Sequence, residues 1–225
     1  MLDQAPVFGV AGAIISEGVY VVGTRASNLL YTFRPRATGW AALTTPATTT
    51  DVSTTTAISV QTAKAGTGIA MDGNTTVVGA RDFDGRGAVF VYTDVDIPST
   101  DTNGLTAQAV LQSTGGRLGD QFGTGVGISG DTLIVGAPKA GDDGRGRAFL
   151  FRRVGNAWQQ VKELSAPDSM TFGTSVAIDG TTAIVGAAAA NKSYVYAFNG
   201  GDWVLMQTLS NQHGNFGAAV AIDGD

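Results

Sequence analysis

Two short glycine-containing acidic segments hold the side chains best suited to chemistry. They read DFDGRG over residues 82–87 and DDGRG over residues 142–146. Carboxylates beside a glycine turn can bind calcium, and arginines can bind an acidic or sugar partner. Each segment has too few carboxylates for a closed cation site, so solvated Asp-Gly turns are the favoured interpretation. The ligand-binding candidates are Asp82, Asp84, Arg86, Asp142, Asp143 and Arg145, and the weak calcium candidates are Asp82, Asp84, Asp142 and Asp143.

The residue types give little support to a catalytic centre. His213 is the single histidine and lies beside no serine suited to act as a nucleophile. The absence of cysteine excludes a thiolate metal site, a cysteine nucleophile and a disulfide framework. No carboxylate pair is marked for glycoside hydrolysis, since Asp179 and Asp223 fall in predicted turns. We therefore predict that the protein is not an enzyme and has no catalytic residue.

A second acidic stretch, residues 94–103, is dense in oxygen ligands but is interrupted by Pro98. Its spacing matches no metal-binding template, so a polar surface loop is the favoured interpretation. Its candidate ligands are Asp94, Asp96, Asp101 and Asn103.

One recurring phrase defines the elements that must position these loops. The clearest copy is FGTGVGISGDTLIVGAP, residues 122–138, and others begin at Phe8, Ala65, Phe172 and Phe216. The Val-Gly pairs of the first four copies are 56, 57 and 50 residues apart. A period of roughly 40–50 residues or slightly more is typical of propellers and related arrays.

Each repeat predicts four antiparallel strands. In the first strand, Phe122, Val126 and Ile128 alternate with glycine and serine, so one face is apolar and the other is small enough to lie against a neighbouring backbone. Asp-Gly and similar turns join it to a second strand that ends in Val-Gly. An aromatic third strand and a fourth strand follow. The predicted fold is an all-β propeller of four-stranded antiparallel blades, with a flat solenoid as the alternative.

The chain is predicted to be a single propeller domain over residues 1–225, with four whole repeats plus one extra strand. In the first repeat the fourth strand is placed at Ala57–Thr62, which makes Thr44–Thr56 an inserted loop. In the second repeat it is placed at Thr106–Gln112. The repeats cover residues 8–63, 65–113, 122–165 and 172–210, with a partial fifth over 216–225.

The repeat begins with Phe122-Gly123 and ends with Gly136-Ala137-Pro138. This pattern resembles FG-GAP repeats, which build integrin α-subunit propellers and occur in many bacterial surface proteins. The resemblance covers nearly the whole chain and is strongest in the third and fourth repeats. It implies an adhesion, binding or structural module that recognises a protein partner through loops on one face. It also implies that segments 82–87 and 142–146 lie on that face. One alternative is a lectin-like propeller with carbohydrate pockets at the blade junctions; a less favoured one is a hydrolase with an axial site.

Many members of this family bind calcium through a D-x-D-x-D-G-x-x-D loop between the first and second strands. Here those turns, such as Asp72-Gly73 and Asp179-Gly180, supply too few oxygens. Calcium is therefore not expected at that position, and no cofactor is firmly predicted.

Tryptophan supplies the aromatic groups that a sugar could stack on. Trp40, Trp158 and Trp203 are the three tryptophans. Trp158 and Trp203 each begin a fourth strand, and their equivalent positions favour packing between neighbouring blades over sugar stacking.

Composition narrows the partners and the location. The net charge of −5 without a basic cluster argues against nucleic acid, and no apolar run is long enough for membrane insertion. The first residues lack the basic and apolar parts of a signal peptide, so either a cytoplasmic location or a removed signal is consistent with them. The family resemblance favours an extracellular or cell-surface location.

The fifth repeat predicts an open edge. A strand at Phe216–Asp223 would expose an apolar face and unpaired backbone groups. A longer chain, a small closed ring or self-assembly into an oligomer through this edge would each cover it. A fragment or an assembling chain is favoured over a self-contained monomer.

Overall fold

A computed structural model describes residues 8–14, 20–24, 29–36, 39–42, 47–48, 65–93, 107–212 and 214–224. The strands in these ranges form four antiparallel sheets, and in each sheet the first four strands are neighbours in chain order. The first sheet contains β1 (Phe8–Ile14), β2 (Tyr20–Thr24), β3 (Leu29–Arg36) and β4 (Gly39–Ala42), and β5 (Ala47–Thr48) also pairs with β3. The second contains β6 (Ala65–Asp72), β7 (Thr75–Ala80), β8 (Ala88–Thr93) and β9 (Ala109–Leu111). The third contains β10 (Val126–Ser129), β11 (Thr132–Ala137), β12 (Arg147–Val154) and β13 (Ala157–Leu164). The fourth contains β14 (Phe172–Asp179), β15 (Thr182–Ala187), β16 (Lys192–Phe198) and β17 (Trp203–Ser210).

Each sheet is a blade, and we number the blades one to four in chain order. Two-residue turns make the first hairpin of blades two, three and four: Asp72 pairs with Thr75, Ser129 with Thr132, and Asp179 with Thr182. The turn glycines Gly130 and Gly180 have φ of 54° and 51°, where glycine is favoured because it lacks a β-carbon. Helical structure in the described residues is limited to 3-10 turns at Phe83–Gly85 and Ala188–Ala190.

In blades two and three the glycine of the Val-Gly pair is required by the neighbouring blade. A β-carbon built on Gly79 would lie 2.9 Å from the carbonyl carbon of Gly123, and one on Gly136 would lie 2.8 Å from that of Gly173. The Val-Gly end of one blade therefore contacts the Phe-Gly start of the next. This contact links the two halves of the repeated phrase.

The first strands of successive blades also lie side by side. A β-carbon on Gly68 would be 3.1 Å from the carbonyl oxygen of Thr124, and one on Gly125 would be 3.2 Å from the amide nitrogen of Val176. The small face of the first strand thus lies against a neighbouring backbone, as predicted. Together with the four-stranded sheets, this contact confirms the prediction of propeller blades.

The core lies between the blades. Phe122 and Phe172 are 1% and 0% exposed, and each packs against aromatic residues of its own blade. Phe122 joins a cluster with Val77 and Val89 of blade two, and Phe172 joins one with Leu150 of blade three. Stacking one blade on the next therefore buries the apolar faces that a single sheet would leave in water.

Two strand predictions need correction. In blade one Gly39–Ala42 pairs with β3, so it occupies the fourth position that we had assigned to Ala57–Thr62. Arg36 pairs with Gly39 in this hairpin, and so short a connection brings the two strands together at little entropic cost. Residues 57–62 lie outside the described residues. In blade two the fourth strand falls within the predicted range but is shorter, Ala109–Leu111.

The predicted strand at Phe216–Asp223 is wrong as a strand, because no described strand pairs with it and the segment forms turns and irregular backbone. The segment nevertheless packs against blade four in the way that the first residues of blade four pack against blade three. Asn215 and Gly217 have φ of 67° and 87°, close to the 59° and 89° of Thr171 and Gly173. The Ser175 hydroxyl donates a hydrogen bond of 2.8 Å to the carbonyl oxygen of Gly217.

Candidate functional site

The antiparallel order places two kinds of connection at the same end of the blades. The loops between the second and third strands meet the segments that lead to the next blade: the Gly119 amide donates to the Gly85 carbonyl at 2.6 Å. The Phe122 amide donates to the Arg86 carbonyl at 3.0 Å, and the Phe172 amide donates to the Arg145 carbonyl at 2.9 Å. We call this end the loop face. It is formed by residues 81–87, 112–121, 138–146, 165–171 and 188–191.

The loop of blade two is anchored by its backbone and by Phe83. The Phe83 side chain is 6% exposed and meets Phe90 edge-on at 5.3 Å between ring centroids. Asp82 lies 3.7 Å from the Arg81 guanidinium, whereas Asp84 and Arg86 are exposed. No sequence pattern singles out Phe83, whose burial anchors the loop and leaves Asp84 and Arg86 exposed.

The loop of blade three forms a local charge network. The Asp143 carboxylate lies 3.7 Å from the Nε of Arg145 and 3.2 Å from an Nη of Arg147. The Arg145 backbone amide, and then the Arg147 side chain, stabilise the charged carboxylate and lower the pKa of Asp143. Arg147 also contacts Glu163 at 3.0 Å. Asp143 is therefore held as an anion already neutralised by its own blade.

Charges also join this loop to the preceding segment. Arg117 pairs with Asp142, and the Lys139 amide donates to the Asp120 carbonyl at 3.2 Å. Arg117, Asp120 and Asp142 border a shallow pocket of about 180 Å³. Its lining includes Thr114, Arg117, Asp120, Asp142, Arg147 and Glu163. The sequence did not indicate Arg117 or Glu163, because their partners lie in other segments, and Arg147 lies just beyond the predicted loop.

Blade four presents a different arrangement at the equivalent place. Asp168 pairs with Lys192 and accepts a hydrogen bond of 3.0 Å from the Tyr194 hydroxyl. The Lys192 hydrogen bond, followed by that of Tyr194, lowers the pKa of Asp168. Desolvation by burial, followed by the hydrogen bond to Asp168, raises the pKa of Tyr194. This cluster ties the segment entering blade four to its third strand.

The six predicted ligand-face residues thus fall into two groups on one face, one on blade two and one on blade three. In the described ranges no group of three or more His, Asp or Glu side chains is spaced to hold a metal ion. The weak calcium candidates remain predictions. His213 and residues 94–103 lie outside the described residues.

The prediction for two tryptophans is confirmed. Trp203 is 8% exposed in the core shared by blades three and four. Trp158 packs at the margin of the core between blades two and three. The side chain of Trp40 lies outside the described residues.

Comparison with known proteins agrees with these repeats. Residues 105–151 and 158–198 match the FG-GAP repeat family model. These two segments carry FG-GAP repeats. A search of curated proteins found no match. The two matched segments cover most of blades three and four, where the FG-GAP phrase is best kept, and the first begins before the segment that links blade two to blade three. FG-GAP repeats are generally non-enzymatic and typical of extracellular proteins. No helix in the described part of the chain has the length and hydropathy to cross a bilayer.

Proposed function

We propose that this FG-GAP repeat protein is a non-enzymatic binding module that recognises an acidic surface of a protein partner through its loop face. The supporting observation is the anchoring of equivalent arginines on adjacent blades. The backbone carbonyls of Arg86 and Arg145 each accept a hydrogen bond from the start of the next blade, while both side chains stay exposed. A rigid backbone with outward arginines lowers the entropic cost of binding.

Exposed apolar residues on the same face support a protein partner. Leu118 and Met170 are 75% and 61% exposed, and each lies on a segment that enters a blade. Methionine and arginine are enriched in protein interfaces, where apolar anchors contribute much of the binding energy. Arg86 forms no ion pair with the described residues, so its guanidinium is available to a carboxylate of the partner.

The proposed location is extracellular or at the cell surface, as is typical of FG-GAP repeats. An extracellular location is consistent with the absence of cysteine. Small secreted domains need disulfides because their cores are small, whereas stacked blades bury a core large enough to do without them.

The test is a binding screen by biolayer interferometry against purified extracellular-matrix and cell-surface proteins. For any partner found, the double variant Arg86→Glu/Arg145→Glu should weaken binding at least tenfold, and Leu118→Ala should weaken it further. Val154→Ala is the matched control, because Val154 is 53% exposed at the last position of β12, at the opposite end of blade three. Equal binding by the double variant and the wild type would overturn the assignment of the loop face. Steady turnover of a glycoside or ester substrate would overturn the non-enzymatic proposal.

A further inference from the structure

Equivalent blade junctions differ at one position on the end opposite the loop face. In blade three Arg153 pairs with Trp158 across the third and fourth strands, and in blade four Phe198 pairs with Trp203 in the same register. The Arg153 guanidinium lies 4.7 Å from the Trp158 ring centroid. The Phe198 ring lies 5.6 Å from that of Trp203. Arginine and phenylalanine therefore occupy the same place in successive blades.

Arg153 bridges the junction between blades two and three. An Nη of Arg153 donates a hydrogen bond of 2.8 Å to the hydroxyl of Thr75, the first residue of the second strand in blade two. Its Nε also lies 3.5 Å from the Asp131 carboxylate. One side chain thus spans the gap between the two blades.

Phe198 has no donor with which to bridge the next junction. The residue equivalent to Thr75 is Thr132, the first residue of the second strand in blade three. A pocket of about 380 Å³ lies between blades three and four, a volume within the range of small-molecule sites. Both Thr132 and Phe198 line it.

The lining chemistry is specific. The half-buried Phe198 ring supplies an aromatic wall, and the buried Trp203 packs against it. The hydroxyls of Thr132 and Thr181 form no hydrogen bond with the described residues, so both can bind a ligand. Lys162 is already paired with Asp202 at 2.6 Å. Arg152 lines the pocket, is exposed, and forms no ion pair with the described residues.

We propose that this pocket binds an acidic sugar, a single pyranose ring that carries a carboxylate. The aromatic wall would receive the C–H face of the ring, whose partial positive charge complements an aromatic π face. The threonine hydroxyls would bind ring hydroxyls, and the Arg152 fork would bind the carboxylate. This site lies on a different face from the proposed protein-binding loops and is independent of them.

The test is an NMR titration of the full chain with methyl β-D-glucuronide, with methyl β-D-glucoside, acetate and phenylacetate as comparison probes. Saturable shifts are expected for the glucuronide at the amides of Gly180, Thr181 and Gly201, with a millimolar Kd typical of one sugar ring. Arg152→Gln should weaken glucuronide binding about tenfold and leave glucoside binding unchanged, since hydrogen bonds to a charged group supply about that factor. Lys139→Gln, which removes one exposed positive charge on the loop face, should leave both unchanged.

A blocking variant follows from the neighbouring junction. Phe198→Arg should bridge to Thr132 as Arg153 does to Thr75, and should abolish binding of both sugars. If that variant does not fold, Thr181→Trp serves instead, because Thr181 is exposed in a turn and its enlargement fills the pocket mouth. Absence of glucuronide shifts, undiminished binding in the blocked variant, or tighter binding of phenylacetate than of glucuronide would each overturn the proposal.

Discussion

Replacing Gly136 by alanine tests whether the Val-Gly to Phe-Gly contact sets the spacing of the blades. The added β-carbon would lie 2.8 Å from the carbonyl carbon and 3.1 Å from the α-carbon of Gly173, and still closer to the carbonyl oxygen. These are backbone atoms of a buried junction, so no side-chain rotation can relieve the overlap. Blades three and four would have to separate.

The magnitude follows from the packing around the contact. Overpacking a close-packed core costs about 1–3 kcal/mol, and a clash of backbone with backbone belongs at the upper end. A loss of about 3 kcal/mol lowers the Tm of a domain of this size by roughly 6–12 °C. Gly186→Ala makes the same contact with Gly217, whose carbonyl carbon would be 3.0 Å away. Most residues of segment 214–224 are exposed, so the segment can shift, and the loss of stability in Gly186→Ala should be smaller.

Thermal unfolding followed by circular dichroism measures both changes. Gly201→Ala is the control, because its β-carbon would meet only the Asn199 side chain at 3.7 Å. The expected order of destabilisation is Gly136→Ala, then Gly186→Ala, then Gly201→Ala with almost none. A Gly136→Ala protein that melts within about 2 °C of the wild type would refute this account of the repeat.

Three further predictions concern charge, burial and association. The folded pKa of Asp168 is lowered, so its stabilising contribution is present above the pKa of the unfolded state and is lost as pH falls below about 4. Lys192→Met should therefore flatten the dependence of Tm on pH in that range. An unchanged dependence would contradict this prediction. Burial raises the pKa of Tyr196 to about 12. The stability that depends on its neutral hydroxyl should therefore decline between about pH 10 and 12, and ultraviolet titration should show that Tyr196 ionises later than a free tyrosine. Ionisation of Tyr196 near pH 10 in the folded protein would contradict this prediction. Leu205 and Met206 are 49% and 64% exposed on β17, the outer strand of blade four, so Leu205→Glu/Met206→Glu should reduce self-association in light scattering. A wild type that stays monomeric at high concentration would refute self-association through this outer strand.

Local patterns in the sequence were sufficient to predict the blades. Alternation at Phe122, Val126 and Ile128 marks the first strand because a period of two is a property of the strand itself. The Val-Gly pairs likewise gave the correct register. Their physical cause could not be predicted, because the atom that excludes a side chain from Gly136 belongs to the next repeat.

The candidate site was predicted less completely for the same reason. The loops around Arg86 and Arg145 were found because glycine, aspartate and arginine recur there, and the structure places both loops on one face. Arg147 was missed, although it contacts Asp143 and Glu163, because Glu163 lies 16 residues away on another strand. A polar residue at the start of a strand does not reveal such a partner. The predicted position of the fourth strand of blade one is wrong for a local reason. Gly39–Ala42 shows no strong alternation of apolar and polar residues, and the sequence does not mark where the aromatic third strand before it ends.

The separation between frame and function explains how repeats with one phrase can differ in what they bind. Backbone contacts made by Phe-Gly and Val-Gly hold adjacent blades together. Side chains at the two ends of the blades can therefore vary without loss of these contacts. At the end opposite the loop face, exchanging Arg153 for Phe198 converts a bridged junction into an open pocket while the strand register is unchanged. A change at one position can therefore create a site without a change of fold. On this basis specificity should differ from junction to junction within the chain, even where the repeated phrase is the same.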